Sequence, residues 1–360
     1  MSYALLIGLN YSSTKNRLYG CINDCIRMRN ILATNYGFPP SNIVFMRDDI
    51  YNSSHPLHPN KANIIREITK LFALSKTTGN LLYFHFSGHG SSVRDTNRDE
   101  MDGFDEFIVP ADYFINGSKI IDDELLVLTR DLNPSVPCFM IFDSCHSGTI
   151  LDLNWSYTLN KSTGLFIRSH GTLAPSTIQN SIICISGCND AEVSLDVFAN
   201  GQYNGALSNG LYNVLAQVPV GQLISVGSVV VNIYKYLQLN SFRQNPIITT
   251  QLPLNINSVA FLRTTQTIST RSFETIVDEP SLEVPETIPT NVSIDEPNHI
   301  VTATIDNEIT DTSSGDSTST LIISTEQTAL INHITNLVEN KLMTVEQIKS
   351  LVDATLLILQ

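Results

Sequence analysis

Phe142-Asp143-Ser144-Cys145-His146-Ser147-Gly148 follows directly on an uninterrupted apolar run, Cys138 to Phe142. Earlier in the chain a second such run, Leu81 to Phe86, ends in Ser87-Gly88-His89-Gly90. Apolar runs without polar alternation predict strands covered on both faces, as in a parallel sheet. Each of these strands delivers one reactive side chain just past its carboxyl end. An open α/β sheet assembles a nucleophile and its base in this way.

The surrounding sequence supports that frame. Ala4 to Leu9 and Asn42 to Met46 read as strands, and further strands are expected near 182–187 and 258–262. Cys21 to Tyr36, Asn60 to Ser75, Asp122 to Leu132 and Ala206 to Leu215 carry apolar residues at helical spacing. The alternation predicts an α/β fold, a mostly parallel sheet flanked by helices, over residues 1–263.

Charge separates this part from the rest. Residues 1–264 hold 20 acids and 18 bases, whereas 265–325 hold 11 acids and only Arg271 as base. The latter segment is rich in Ser, Thr, Asp and Glu and is punctuated by Pro280, Pro285, Pro289 and Pro297. It cannot bury enough apolar surface to offset its ordering entropy, so 264–325 is expected to be a disordered acidic linker. Helical periodicity returns at Leu330, Ile331, Ile334, Leu337 and Val338, and Thr344 with Gln347 forms a capping box for a second short helix. This predicts a helical pair over 326–360 suited to a partner or to self-association.

Several function classes drop out. No basic patch follows a nucleic-acid backbone. No apolar run approaches the ~18 residues of a membrane span, and the opening Tyr3–Leu9 lacks the basic flank of a signal peptide. Six cysteines are too few for a disulfide scaffold and suit a reducing cytoplasm. The pairs Cys21/Cys25 and Cys184/Cys188 match zinc spacings only loosely.

A thiol becomes a nucleophile when an imidazole lowers its pKa and later protonates the leaving amine. Cys145 and His89 fit these roles. His146 is a poor base because adjacent residues point to opposite sides, and His85 lies inside its strand as a core residue. Backbone N–H groups near Gly90 and at Cys145 can hold the tetrahedral oxyanion. Asp143, two residues before Cys145, and Asp24, at the start of a helix after the first strand, put carboxylates beside the thiol, which favours Arg or Lys at P1. Cleavage after a basic residue makes Lys161 and Arg168, in a stretch between Asn154 and Pro175 that reads as a loop, the candidate self-cleavage sites. Asp95, Asn97, Asp99, Asp102, Asp105 and Glu106 form an oxygen-rich loop suited to a hard cation. It is not an EF-hand, because Glu100 stands where that loop needs glycine and a strand precedes it.

Gly20-Cys21-Ile22-Asn23-Asp24-Cys25, Ser87-Gly88-His89-Gly90, Asp102-Gly103-Phe104-Asp105-Glu106, Ile121-Asp122-Asp123-Glu124 and the Cys145 stretch, in this order, resemble a metacaspase. Ser186-Gly187-Cys188-Asn189-Asp190 with Gly205-Ala206 resembles the small-subunit region. The resemblance implies a caspase-like fold and cysteine endopeptidase activity, and the chain is expected to be calcium-activated and self-processing. It implies a type I-like core without a prodomain, large-subunit-like over 1–160 and small-subunit-like over 176–263. It places Cys21, Asp24, Ser87 and Asp143 at the S1 pocket and calcium on Asp105, Asp122, Asp123 and Asp152. The expected partners are protein or peptide substrates. The rival readings are another His/Cys peptidase of this fold class, legumain-like or separase-like, and a silent caspase-fold scaffold acting through its tail.

Overall fold

A computed structural model describes residues 1–96, 100, 103–145, 147–170, 177–187, 196–199, 202–263 and 277–278, with backbone alone at 196–199, 202–203 and 277–278. The remainder of the acidic linker and the whole C-terminal helical pair lie outside the described residues. In chain order the elements begin β1 (Ser2–Gly8), α1 (Cys21–Asn35), β2 (Ile43–Arg47), α2 (Lys61–Ala73) and β3 (Leu81–Ser87). Next come β4 (Gly90–Arg94), β5 (Phe104–Ile108), α3 (Tyr113–Asn116), β6 (Ile120–Ile121), α4 (Asp122–Leu128) and β7 (Cys138–Asp143). Then follow β8 (Trp155–Leu159), β9 (Phe166–His170), β10 (Ile182–Ser186), β11 (Asp196–Ala199) and β12 (Gln202–Gly205). The last are α5 (Ala206–Gln217), α6 (Val226–Leu239), β13 (Ile247–Thr250) and β14 (Val277–Asp278).

The main sheet has the order β14-β9-β8-β13-β10-β7-β3-β1-β2. From β2 to β10 every neighbouring pair is parallel, so five strands end at one edge. β13, β8 and β9 continue it antiparallel. The side-chain period of two explains the continuous apolar runs: Ala4 and Leu6 of β1 face one core, Leu5 and Ile7 the other. The first core is closed by α1, α5 and α6 through Cys25, Met28, Leu211 and Val230. The second is closed by α2 and α4 through Ile64, Ile68 and Leu125. The fold is therefore the expected caspase-like α/β arrangement, a mostly parallel sheet between helical layers. The chain reverses its direction of winding between β1 and β3, and the crevice beyond their carboxyl ends is where such sheets bind ligands.

Three expectations change. No strand spans 258–262, where Ala260 makes only an isolated bridge to Ser225. The strand near there is β13, earlier in the chain and antiparallel to β10. The helix from Asp122 ends at Leu128, and a tight 3-10 turn, Thr129–Asp131, follows. The stretch from Asn154 is not a loop: β8 and β9 pair as an antiparallel hairpin inside the main sheet. Asn160 closes its turn, donating its N–H to the Leu165 carbonyl and accepting at its carbonyl from Gly164 N–H, both 2.8 Å. Short strands whose partner lies across a turn carry too little periodicity to stand out in sequence.

Candidate active site

Sheet register brings the candidate dyad, His89 and Cys145, to one edge. Ser87 pairs with Asp143 at the ends of β3 and β7, and Gly88 N–H donates to the Asp143 carbonyl at 3.3 Å. Two residues further along both chains stand His89 and Cys145. A Cβ on Gly90 would run into the Cys145 carbonyl and meet Ser144 Cβ at 3.1 Å, so the absence of a side chain is what lets the two loops touch. Cys145 is half-buried, whereas Cys21, Cys25, Cys138 and Cys184 are buried. Burial pushes the Cys184 thiol up to about 12 and Cys25 well above the ordinary range, which keeps both inert. His89 Nε2–H donates to the Asn16 carbonyl at 2.7 Å, which leaves Nδ1 as the proton acceptor. His85 is wholly buried between the Tyr83 and Ser208 hydroxyls, 3.0 Å from each, and desolvation pulls it down to about 3. It is a neutral core residue. His146 lies outside the described residues.

Beside the dyad two carboxylates are taken out of water. Asp24 and Asp143 are each 3% exposed. Asp24 lies in the first turn of α1 and accepts from Ser87 Oγ at 2.8 Å and from Gly205 N–H at 2.9 Å. Asp143 accepts from Ser208 N–H, in the first turn of α5, at 2.8 Å. Both helix starts favour negative charge. The carboxylates converge on Gly205, where a Cβ would clash with Asp143 Oδ2 and reach within 3.0 Å of Asp24 Oδ2. Cys21, Asp24, Ser87 and Asp143 thus come together at one sheet edge, with Cys21 buried at the start of α1. Gly205 and Ser208 complete the set, and sequence reading had not singled them out for it.

The second acidic group lies beyond the nucleophile. Oxygens of Glu100, Asp122 and Asp152 lie within 4.8 Å of one another, and all three residues are buried. Desolvation first, then the charges of Glu100 and Asp105, push Asp122 up to about 8, although N–H groups of Asp123 and Glu106 act against the shift. Asp105 is buried on β5, and Asp123 is half-buried next to Asp122, but neither belongs to the trio. Glu100 does belong. The loop that carries it joins two antiparallel strands, β4 and β5, and not the helices of an EF-hand. Asp95 accepts from Glu100 N–H at 3.3 Å, while Asn97, Asp99 and Asp102 lie outside the described residues. The cluster reaches the nucleophile's own loop twice, through Asp152 and through Thr149, whose hydroxyl donates to Glu106.

Lys161 is exposed in the β8–β9 turn. Arg168 is half-buried within β9, its guanidinium 5.0 Å from the Trp155 ring centroid. Cys188, Asn189 and Asp190 lie outside the described residues.

Comparison with known proteins bears on this arrangement. The profile of the family described as "Metacaspase, peptidase C14 domain" matches residues 3–154. Metacaspase-1B of Aspergillus fumigatus is 33% identical over 296 residues, 71% of this chain and 70% of that protein. Metacaspase-1 of Candida glabrata is 30% identical over 295 residues, 71% of this chain and 74% of that protein. Metacaspase-1A of Aspergillus oryzae reaches 44% over 156 residues, 43% of this chain and 36% of that protein. Other relatives are spanned for 58 to 62% of their length. A crystal structure of a Geobacter sulfurreducens protein matches with a TM-score of 0.48 at 24% identity, covering 74% of this chain and 99% of that one. The matched stretch includes both strand ends that carry His89 and Cys145, and the long alignments extend well past them, so the chain belongs to the metacaspase family of cysteine peptidases.

Proposed function

We propose that this metacaspase cleaves protein or peptide substrates after Arg or Lys, with Cys145 as nucleophile and His89 as general acid and base, and that calcium raises its activity. The observation that carries the P1 assignment is the pair of buried carboxylates meeting at Gly205 beside the nucleophile. Two like charges in a low-dielectric site repel, and the N–H and O–H groups of Ser87, Gly205 and Ser208 compensate them only in part. A guanidinium or ammonium group entering between them relieves the repulsion. A P1 carboxylate adds to it.

The reaction follows from the dyad. His89 Nδ1 takes the Cys145 proton, and the thiolate attacks the scissile carbonyl. The oxyanion is received by backbone N–H groups at Gly90 and Cys145. The imidazolium then protonates the leaving amine, and water activated by the neutral imidazole hydrolyses the thioester. Hydrolysis of otherwise identical P1-Arg, P1-Lys and P1-Asp peptides, with and without calcium, tests the reading. Turnover of the P1-Asp peptide at the rate of the basic ones overturns it.

Three buried carboxylates are a donor set for a hard cation with oxygen ligands, and calcium's larger coordination number suits them better than magnesium's. Calcium, when bound, supplies charge neutralisation among Glu100, Asp122 and Asp152. The consequence for the chain is that the β4–β5 loop, the start of α4 and the segment past Cys145 can draw together. Activity is expected to rise over high-micromolar to millimolar calcium, about the range of weak sites, and not with magnesium. Asp122→Ala with Asp123→Ala should erase the response. Full activity in excess chelator contradicts it.

The same group sets a pH dependence. Asp122 keeps its proton in the folded chain up to about pH 8, whereas the unfolded chain releases it near 3.8. Its contribution to stability is therefore full below about pH 4 and is lost as pH rises through about 8. Without calcium, melting temperature should fall across that window, and Asp122→Asn should flatten the fall. Calcium should restore the wild type near pH 8 and leave Asp122→Asn unmoved, as read by thermal melting.

Self-cleavage is expected after Lys161 and not after Arg168. A protease cleft needs an extended, accessible segment, and Arg168 is hydrogen-bonded into the sheet opposite Tyr157. Mass spectrometry of the active protein should find a new terminus at Ser162. Its absence, or a cut at Ser169, contradicts this.

A further inference from the structure

Tyr11, in the loop after β1, is unused by the chemistry above. It is 3% exposed and has φ +50°, a left-handed conformation that bulky side chains rarely adopt. Asp48 holds it there, accepting from Asn10 N–H at 2.9 Å and from Tyr11 N–H at 2.6 Å. The Tyr11 hydroxyl accepts from His89 N–H at 3.0 Å and donates to the Val109 carbonyl at 2.6 Å. Val109 N–H donates back to the His89 carbonyl at 3.0 Å. These three hydrogen bonds close a ring whose one side-chain member is Tyr11, and both main-chain polar groups of His89 are fixed within it.

The imidazole is constrained from the same loop. The Tyr11 ring lies 4.8 Å from it, centroid to centroid, and Phe114 stands edge-on to both. Asn16, which accepts from His89 Nε2–H, is tied to Tyr11 through Thr14: Thr14 N–H donates to the Tyr11 carbonyl at 2.9 Å, and Asn16 N–H donates to Thr14 Oγ1 at 3.1 Å. One loop thus grips His89 by its backbone, one ring face and one ring nitrogen.

We propose that Tyr11 is the positioning residue of the dyad, holding His89 where its free nitrogen shares a proton with Cys145 and coupling that placement to the Asp48-clamped loop. This rests on the His89–Cys145 reading. Phenylalanine would fill the same space and keep the ring contact, but it would leave His89 N–H and the Val109 carbonyl without their shared partner.

The test uses the full chain in saturating calcium and compares Tyr11→Phe and Asp48→Asn with wild type and with His89→Ala. Two quantities are read: kcat and KM on a P1-Arg peptide, and the pH dependence of Cys145 alkylation by iodoacetamide, followed by mass spectrometry at that residue. Tyr11→Phe should lower kcat by about 10- to 100-fold with KM little changed. Its alkylation midpoint should move toward the ~8.5 of a free thiol, in the direction His89→Ala moves it. Asp48→Asn, which loosens the loop but keeps the hydroxyl, should shift both the same way by less, and it decides the matter if Tyr11→Phe does not fold. A folded Tyr11→Phe with wild-type kcat and alkylation profile overturns the proposal, as does a loss that only tracks the folded fraction. If His89→Ala shifts the profile and Tyr11→Phe does not, Tyr11 falls alone. If His89→Ala leaves it unmoved, the dyad reading falls and takes this proposal with it.

Discussion

Cys145→Ala is expected to abolish peptide hydrolysis, and His89→Ala to reduce it by about 10²- to 10⁴-fold or more, in chains that melt close to wild type. Cys145 is half-buried at a strand end while Cys21, Cys25, Cys138 and Cys184 are buried, so no described thiol can take over. Its replacement removes one sulfur from a half-exposed position and leaves no large cavity, so the effect on stability is small. His89 is not replaceable by its neighbours either. His85 is locked between Tyr83 and Ser208 and held neutral by burial. With His89 gone, the thiol at neutral pH is a few per cent thiolate, and the departing amine has no acid to protonate it. Hydrolysis of a P1-Arg peptide and a thermal melt on each variant decide the matter. Normal turnover by either folded variant would remove the dyad.

Asp143→Asn is expected to lower kcat/KM on P1-Arg substrates by about 10- to 150-fold, the equivalent of one charge-assisted hydrogen bond of about 1.5–3 kcal/mol. The asparagine keeps an oxygen to accept from Ser208 N–H, so the α5 contact survives. What is lost is the charge. Asp24→Asn should act in the same direction, because its carboxylate converges on the same glycine. Stability should move the other way: removing one of two buried like charges lessens their repulsion, so neither variant should melt below wild type. Falling activity with unchanged or rising melting temperature separates a pocket effect from unfolding, which would lower both. Wild-type rates on P1-Arg peptides by Asp143→Asn would place the carboxylate outside the pocket.

Both expectations rest on position along the chain. The strand-end positions of Cys145, His89 and Asp143 could be read from sequence because each follows or closes a run that is apolar on both faces. In a parallel sheet all such ends lie on one edge, so position along the chain translates directly into position in space. β1, β3, β7 and the helices α1 and α2 were legible for the same reason, since their apolar periods are long and uninterrupted.

Elsewhere local pattern and tertiary context part company. Val226–Leu239, with Val229, Val230, Val231 and Ile233, has the composition of a strand and is a helix. Ser225 caps it by accepting from Ser228 N–H at 3.0 Å, and Val226, Val229, Val230 and Ile233 are buried in the core it shares with α5. β13 and the β8–β9 hairpin exist because β10 offers an open edge, a fact held by no window of the sequence.

The sequence by itself determined the fold class and the placing of a thiol, an imidazole and a carboxylate at the ends of neighbouring strands. It could do so because those depend on residue type and on strand ends. Tertiary structure alone decided the rest of the site. Tyr11, Asn16 and Asp48 grip His89 from the first two strand ends, Gly205 and Ser208 hold the carboxylates from the far side, and Glu100 joins Asp122 and Asp152. These groups are far apart along the chain and carry no shared period. Only the closing of the sheet, driven by burial of its two faces, brings their hydrogen-bonding atoms within reach of one another.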